Sequence, residues 1–223
     1  MDEIGNVEVE CGAILFDMDG TLVDSTSVVE RQWKLFAARY QLDYDHIMKI
    51  SHGRRNSETI RAVAPHLATP EVFAEFDEAE LLDKDGVFAV KGAADFVGKL
   101  AEHEWAVVTS AGQDLARTRL RAVGLPLPRV LIGAEDVRAG KPHPEGYLAA
   151  AERLRVPPHL CVVFEDTVPG LQAALAAGMR AFGITTTYPA GQLGQVDCIA
   201  DFSEVRATSR QGELIQLSIR TVG

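Results

Sequence analysis

The chain has 223 residues, of which 47% are apolar and 24% charged, so it can bury a sizeable core and has an ordinary globular composition. Its net charge of −10 gives no general attraction for nucleic acid or anionic membrane, and no apolar run reaches the roughly 18 residues that cross a bilayer. Three widely spaced cysteines and an acidic N-terminus argue against a disulfide framework, a zinc site and a secretory signal, so we expect a cytoplasmic protein. The sequence does not fix the oligomeric state, and we expect a monomer.

Short apolar runs alternate with helical patterns along most of the chain. The first run, CGAILFD, is typical of a strand buried on both faces, and similar runs follow at 105–110, 129–133, 161–166 and 180–184. Helical patterns occupy 92–103, 113–123, 144–154 and 168–177. This alternation predicts an α/β fold, a Rossmann-like doubly wound parallel sheet with helices on both faces.

The segment from about Asp24 to Val90 interrupts the alternation. SVVERQWKLFAARY (27–40) has apolar residues at helical spacing, further helical patterns follow at 46–50, 57–64 and 70–82, and we predict no strand there. A helical block inserted after the first strand of an α/β domain indicates a separate cap. We therefore assign 1–23 and 91–223 to the core domain and 24–90 to a helical cap domain.

Polar side chains follow the predicted strands, and in open parallel sheets ligands bind outside the carboxyl ends of the strands. The residues concerned are Asp17 and Asp19 after the first strand, Thr109 and Ser110 after the second, Lys141 in the loop after the third, and Glu165 and Asp166 after the fourth. Four segments that are distant in sequence are thus expected to meet at one rim of the sheet.

The acidic residues of this rim would repel one another unless some were protonated or shared a cation. A set of oxygen ligands suits a hard ion such as Mg²⁺. Each feature alone has a simpler interpretation: a turn or helix cap for the aspartates and for Thr109–Ser110, and a solvated surface residue for Lys141. Beside a metal, however, hydroxyl and N–H groups and a lysine fixed between glycine and proline could bind phosphoryl oxygens.

Four segments then match a known family. FDMDGTLVDS, VTSA, GKPHPEGY and VVFEDTVPG resemble, in order, the four motifs of the haloacid dehalogenase superfamily, and the likeness runs from about Cys11 to Thr186. The position of the helical insert resembles the subfamily with a small helical cap. The resemblance implies that Asp17 is a nucleophile that forms an aspartyl-phosphate, and that Asp19 is the general acid and then the general base.

The resemblance also implies a cofactor and a phosphate site. Mg²⁺ would be held by the Asp17 carboxylate, the Asp19 backbone carbonyl and Asp166, with Glu165 as a further ligand or as the partner of a ligand. The phosphoryl oxygens would be bound by Thr109, the Ser110 N–H and Lys141.

The cap segment SHGRRNSETI (51–60) is similar to the corresponding loop of small sugar-phosphate and polyol-phosphate phosphatases, including glycerol-phosphate and 2-deoxyglucose-phosphate enzymes. This likeness implies a phosphoric monoester hydrolase whose partner is a small phosphorylated sugar or polyol. Glu30, Arg54, Arg55 and Asn56 would meet substrate hydroxyls, and Gly53 would form a turn that lets the cap approach the core. Adjacent arginines are also typical of a solvated surface.

Other functions on the same fold can be compared with this one. The dehalogenases use the first aspartate without the second or the metal, whereas Asp19, Glu165 and Asp166 are all present here. A sugar phosphomutase of the beta-phosphoglucomutase type is the alternative, although Val29 and Asn56 stand where that branch has a histidine and an arginine. A non-catalytic phosphosugar-binding protein would be expected to lack Asp17 or Asp19.

Overall fold

The computed structural model describes residues 5–212 and 214–222. Its strands are β1 (Gly5–Cys11), β2 (Ala13–Phe16), β3 (Val23–Asp24), β4 (Phe88–Ala89), β5 (Trp105–Val108), β6 (Val130–Ile132), β7 (Cys161–Glu165), β8 (Arg180–Ile184), β9 (Cys198–Ile199), β10 (Val205–Gln211) and β11 (Leu214–Thr221). Its α-helices are α1 (Thr26–Tyr40), α2 (Tyr44–Ser51), α3 (Asn56–Val63), α4 (Pro70–Leu82), α5 (Ala93–Val97), α6 (Gln113–Ala122), α7 (Glu145–Leu154) and α8 (Val168–Ala176).

A six-stranded parallel sheet forms the centre of the molecule, in the order β6-β5-β2-β7-β8-β9. Its central strands β2, β5 and β7 are buried along their whole length, which explains their continuous apolar sequence. One face packs against α5 and α6 through side chains such as Phe96 and Leu120, and the other against α7 and α8 through Tyr147 and Leu171. The predicted doubly wound α/β core is therefore confirmed.

All five strands expected from the apolar runs belong to this sheet. The sixth, β9, has only two residues and carries no pattern that could predict it. The helix predicted over 92–103 is wrong beyond Val97, because α5 ends there at Gly98. The following residues form a turn in which the Ala101 N–H donates to the Glu104 carboxylate at 2.7 Å, and this turn leads directly into β5.

The chain leaves the core and returns to it through a short antiparallel pair. Val23 of β3 lies opposite Ala89 of β4, and Asp24 lies opposite Phe88. The expectation that 24–90 contains no strand is wrong at this point, since a pair of two-residue strands leaves no period in the sequence.

Between these strands, helices α1 to α4 enclose an apolar cluster of their own. Trp33, Phe36, Ile47, Ile60 and Phe76 form its buried centre. The ring centroids of Trp33 and Phe76 lie 4.3 Å apart. The division into a core of 1–23 and 91–223 and a cap of 24–90 stays a prediction, and "cap" is used below for these four helices and their loops.

A second sheet, of three antiparallel strands in the order β1-β11-β10, was not expected from the sequence. In β1 the side chains alternate, with Val9 and Cys11 buried and Glu8 and Glu10 exposed. Ile215, Leu217 and Ile219 of β11 are buried in the same apolar cluster as α5. Over the described residues, no helix combines the length and the apolarity that crossing a membrane requires.

Candidate active site

The loop after β2 carries Asp17 and Asp19 and turns sharply at Gly20. Gly20 has φ +82°, and a Cβ on it would lie 2.0 Å from Oδ2 of Asp166. Its carbonyl accepts a hydrogen bond from the Thr186 hydroxyl. Glycine is therefore required here both by backbone conformation and by the close approach of the loop after β7.

Three carboxylates meet at the carboxyl ends of β2 and β7. One oxygen each of Asp17, Glu165 and Asp166 lies within 4.8 Å of the others, and all three side chains are buried. The Lys141 ammonium lies 2.5 Å from Oδ1 of Asp17 and 2.6 Å from Oε1 of Glu165. Residues from three of the four sequence motifs thus share one small volume.

The electrostatics of this cluster favour a bound cation. Burial raises the pKa of Asp17 to about 7, since Lys141 only partly offsets the loss of hydration and the charge of Glu165. Burial, together with the charges of Glu165 and Asp17, also raises the pKa of Asp166 well above its usual range. Burial alone would lower the pKa of Lys141, but Asp17 and Glu165 raise it well above its usual range. One ammonium among three carboxylates leaves an excess of negative charge, which suits a divalent ion with oxygen ligands.

Both oxygens of Glu165 are held by protein donors. Oε2 accepts from the Thr167 N–H at 2.8 Å and from the Thr167 hydroxyl at 2.9 Å. Oε1 accepts from Lys141 and from the Tyr147 hydroxyl, the latter at 3.4 Å. A Cβ on Gly170 would lie 1.7 Å from Oε1, so glycine makes room for the carboxylate. In this arrangement Glu165 orients Lys141.

Asp166 is held by two threonine hydroxyls. Thr21 donates to its Oδ1 at 3.3 Å, and Thr187 donates to its Oδ2. Thr187 follows β8 and belongs to none of the four motifs, so only the topology of the sheet, in which β8 lies beside β7, could have indicated it.

Thr109 and Ser110 lie at the end of β5 and line the cavity above the carboxylates. The Thr109 hydroxyl accepts from the Ala111 N–H at 3.1 Å, which is the hydrogen bond of a local turn. The Ser110 hydroxyl donates to the carbonyl of Gly53 in the cap at 2.8 Å. The end of β5 therefore joins the cap to the core next to Asp17.

The cap residues singled out from the sequence divide into two groups. Gly53, Arg54 and Asn56 line the cavity, and Gly53 has φ +74°. The Arg55 guanidinium instead donates to the carbonyls of Val137 and Arg138, at 3.0 and 3.4 Å, and Glu30 is exposed. The geometry of Arg55 thus favours docking of the cap on the core over contact with substrate.

The cavity between cap and core has a volume of about 90 Å³. Its walls include several residues that the sequence did not indicate: Trp33, Ser51, His52, Glu80, Arg119 and Thr187. His52 packs edge-on against Tyr188 of the core, with 5.6 Å between ring centroids. Arg119 binds both Asp19 and Glu80, at 2.7 and 3.1 Å. Glu80 and Arg119 were missed because a single polar residue on a helix carries no motif.

The family model described as haloacid dehalogenase-like hydrolase matches residues 11–178, three quarters of the chain and all four motifs. The chain belongs to the haloacid dehalogenase-like hydrolase family. Asp17, Lys141, Glu165 and Asp166, which meet in the structure, all lie within the part matched to this family.

Curated relatives in this family are named for phosphate-ester hydrolysis. Hexitol phosphatase A of Escherichia coli is 34% identical over 91% of this chain and 96% of its own length. Glycerol-1-phosphate phosphohydrolase 2 of Saccharomyces cerevisiae is 33% identical over 86% of this chain and 82% of its own. Among solved structures, a putative beta-phosphoglucomutase from Bacteroides vulgatus is 26% identical with a TM-score of 0.71, covering 85% of this chain and 84% of that one.

Proposed function

We propose that the protein is a Mg²⁺-dependent phosphatase that releases phosphate from a small phosphorylated sugar or polyol through an aspartyl-phosphate intermediate. That it is a phosphoric monoester hydrolase is supported by its family and by the names of its relatives. The observation that carries the proposal is the buried cluster of Asp17, Glu165 and Asp166 around Lys141, which opens into a cavity beneath the cap.

The donor set fits a magnesium ion, because three buried carboxylates share a single ammonium. Asp17, Asp166 and the backbone carbonyl of Asp19 would hold it, with Glu165 as a further ligand or as the group that orients Lys141. When bound, the ion neutralises charge on the phosphoryl oxygens and on the carboxylates.

The residues of the chain divide the reaction between them. An Asp17 oxygen attacks phosphorus, the bond from phosphorus to the ester oxygen breaks, and Asp19 gives its proton to the leaving alcohol. Water then attacks the phosphorus of the aspartyl-phosphate, Asp19 takes the proton of that water, and inorganic phosphate leaves a restored Asp17. Lys141 holds Asp17 in position and, with Thr109 and Ser110, pairs with the phosphoryl oxygens.

The substrate class follows from the cavity and the relatives together. Ser51, His52, Arg54 and Asn56 bring polar side chains to the wall of the cavity from the side of the cap. Such groups suit a chain of hydroxyls, and relatives are named for hexitol and glycerol phosphates. A short polyol or sugar carrying one phosphate is the ligand that this combination favours.

A substrate panel tests the proposal. The purified protein with MgCl₂ is expected to release phosphate from hexitol, glycerol and sugar phosphates, and EDTA or Asp17→Asn is expected to abolish the release. Asp95→Asn makes the same chemical change at an exposed aspartate of α5 and should leave the rate unchanged. Full activity of the Asp17→Asn protein would refute the proposed nucleophile.

The mutase alternative has one observation in its favour, the similarity to a putative beta-phosphoglucomutase structure. Against it, Val29 and Asn56 occupy the cap positions expected to carry a histidine and an arginine, and Asn56 donates to Glu80 at 2.6 Å. Phosphorus NMR of a sugar 1-phosphate separates the two: a phosphatase yields inorganic phosphate, and a mutase yields the 6-phosphate. A non-catalytic phosphosugar-binding protein would yield neither. A cytoplasmic location and a monomeric state stay predictions.

A further inference from the structure

Arg119 joins the cap to the proposed general acid and base. It extends from α6 of the core, and its side chain is only 5% exposed. One terminal nitrogen, Nη1, lies 2.7 Å from Oδ1 of Asp19, and the other, Nη2, lies 3.1 Å from Oε1 of Glu80 on α4. A single buried guanidinium therefore bridges a carboxylate of the core and a carboxylate of the cap.

Two contacts alone fix the guanidinium within the described part of the chain. Its third nitrogen, Nε, is buried and has no hydrogen-bond partner among residues 5–212 and 214–222. The orientation of Arg119 therefore depends on Asp19 on one side and Glu80 on the other. A planar guanidinium can serve two carboxylates at once, whereas a lysine ammonium acts as a point charge.

The Asp19 carboxylate is held at one oxygen. Oδ1 accepts from Arg119 and, at 2.6 Å, from the hydroxyl of Ser25. Neither donor bonds Oδ2, which accepts no hydrogen bond from any described residue, and the side chain remains 26% exposed. Oδ2 is thus the oxygen left to exchange a proton with the substrate.

Glu80 in turn is fixed by the cap. Its Oε2 accepts from the Asn56 amide at 2.6 Å, and Asn56 begins α3. Glu80 is 4% exposed, so its carboxylate depends on these two donors. The contacts run without a gap from α3 through α4 and α6 to Asp19.

We propose that Arg119 is a positioning residue that aims Oδ2 of Asp19 at the leaving oxygen, and that Glu80 makes this orientation depend on the docked cap. The inference rests on the proposed function, since it takes Asp19 as the proton donor. It assigns to Arg119 and Glu80 a role in proton transfer to a poor leaving group, separate from any contact with the phosphoryl group.

Two substrates that differ in their need for a proton test this role. The alcohol of glycerol 1-phosphate, or of the best alkyl phosphate of the panel, leaves as an alkoxide unless its oxygen is protonated. The nitrophenolate of 4-nitrophenyl phosphate is a good leaving group without a proton. Arg119→Lys is expected to lower kcat/KM for the alkyl phosphate about 100-fold, the lower range of a general-acid contribution. The same variant should lower kcat/KM for 4-nitrophenyl phosphate less than about 5-fold. The ratio kcat/KM covers only the steps up to departure of the leaving group, so it excludes hydrolysis of the aspartyl-phosphate, in which Asp19 acts as the base for both substrates.

Matched variants separate positioning from general stability. Arg121→Lys makes the same change on an exposed arginine of α6 and should leave both rates unchanged. Glu80→Gln keeps the shape of the side chain and should lower kcat/KM for the alkyl phosphate about 10-fold, with the double variant no slower than Arg119→Lys alone, because both act through one contact.

The outcomes are distinguishable from failure of the proposed function. Equal losses with both substrates, additive losses in the double variant, or no loss in Arg119→Lys would overturn the inference while leaving the phosphatase intact. A wild-type protein that releases no phosphate from either substrate would overturn the proposed function and the inference with it. Thermal unfolding of each variant shows that the rates are measured on folded protein.

Discussion

At the scale of single residues, the site concentrates negative charge where the molecule has least water. Asp17 and Asp166 are buried, and their pKa values are raised, chiefly by burial. Carboxylates held in this way destabilise the metal-free protein when they are ionised. The same charges favour a divalent ion, so binding of the ion is coupled to stability.

Magnesium is therefore expected to stabilise the protein against heat. Saturating MgCl₂ should raise Tm of the EDTA-treated protein by about 5 °C, as expected for a ligand well above its Kd and a chain of this size. Asp166→Asn should remove most of this rise, because it deletes a ligand, and Asp95→Asn should keep it. Differential scanning fluorimetry measures all three proteins, and an equal rise in each would contradict the assignment of Asp166.

At the scale of elements, the loop between α2 and α3 holds the cap against the core. The loop between α2 and α3 approaches the core so closely that a Cβ on Gly53 would lie 2.4 Å from the Thr167 hydroxyl oxygen. Gly53 also accepts a hydrogen bond from Ser110 through its carbonyl. The proposed phosphate-binding residue Ser110 is thus joined to the cap through this one short loop.

Gly53→Ala is expected to weaken docking of this loop and to lower kcat/KM about 10-fold, the effect of misplacing a positioning contact by a few tenths of an ångström to one ångström. Gly178→Ala is the matched control, since Gly178 has φ +76° like Gly53 at +74°, but a Cβ there meets nothing within 4 Å. The control should lose about 1 kcal/mol of stability through its backbone alone and keep its kinetics. Steady-state kinetics and urea unfolding of both variants make the comparison.

An ion pair between a half-exposed arginine and a buried glutamate attaches the antiparallel sheet to the core. Arg210 of β10 donates from Nε and Nη2 to the two oxygens of Glu104, at 2.6 and 2.8 Å, and Glu104 is almost fully buried. The hydrogen bonds from Arg210 lower the pKa of Glu104, against the opposing effect of burial. A lowered pKa means that the folded state favours the ionised form.

Glu104→Gln should therefore destabilise the protein in a pH-dependent way. The ion pair stabilises the folded protein at pH 7, but only modestly, because Arg210 is half-exposed and water screens its charge. The contribution is fully present above the unfolded pKa of a glutamate, about 4.3, and is lost as pH falls through the lower folded value. Urea unfolding of wild type and variant should differ at pH 7 and converge on acidification. A difference that is constant with pH would show that packing, not charge, is responsible.

At the scale of the whole molecule, the cap has its own small apolar cluster and the core has two larger ones. The contacts between them that were described above are mostly polar: Ser110 with Gly53, Arg55 with Val137 and Arg138, and Arg119 with Glu80. An interface of this kind permits relative motion of its two sides.

Hydrogen exchange should reveal this difference in stability. Amides of α1 to α4 are expected to exchange faster than those of β2, β5 and β7, which are buried on both faces of the sheet. MgCl₂ with orthovanadate, an anion of phosphate shape, should slow exchange in the cap, because ligands in the cavity touch both sides. Mass spectrometry of peptides measures both effects. Uniform protection without ligand would contradict independent opening of the cap.

The sequence predicted which carboxylates meet better than it predicted the residues that hold them. Asp17 and Asp166 each follow a continuous apolar run. That run predicts a buried strand, and the end of the strand places the carboxylate at the rim of the sheet. Arg119 could not be separated from Arg117 and Arg121, because burial of one arginine on an amphipathic helix depends on what packs against it. Only a three-dimensional partner such as Glu80 distinguishes it.

The antiparallel sheet was predictable in part and was nevertheless missed. GNVEVEC and LIQLSIRT both alternate polar and apolar residues, which is the period of a half-buried strand. Their pairing places Gly5 opposite Thr221, and no local pattern predicts a contact between positions so far apart in the chain. The polar tail after Asp201 gave no functional motif, and in the structure it contributes to the fold.

The strand pair through which the chain enters and leaves the cap makes that segment replaceable. Val23 and Ala89 are partners in an antiparallel pair, so the two crossing points are about 5 Å apart. A folded insert with adjacent ends can be exchanged without rethreading the surrounding sheet. A chimera that carries the 24–88 segment of a relative with another named substrate, joined at these two strands, would keep one reaction centre while changing the compound presented to it.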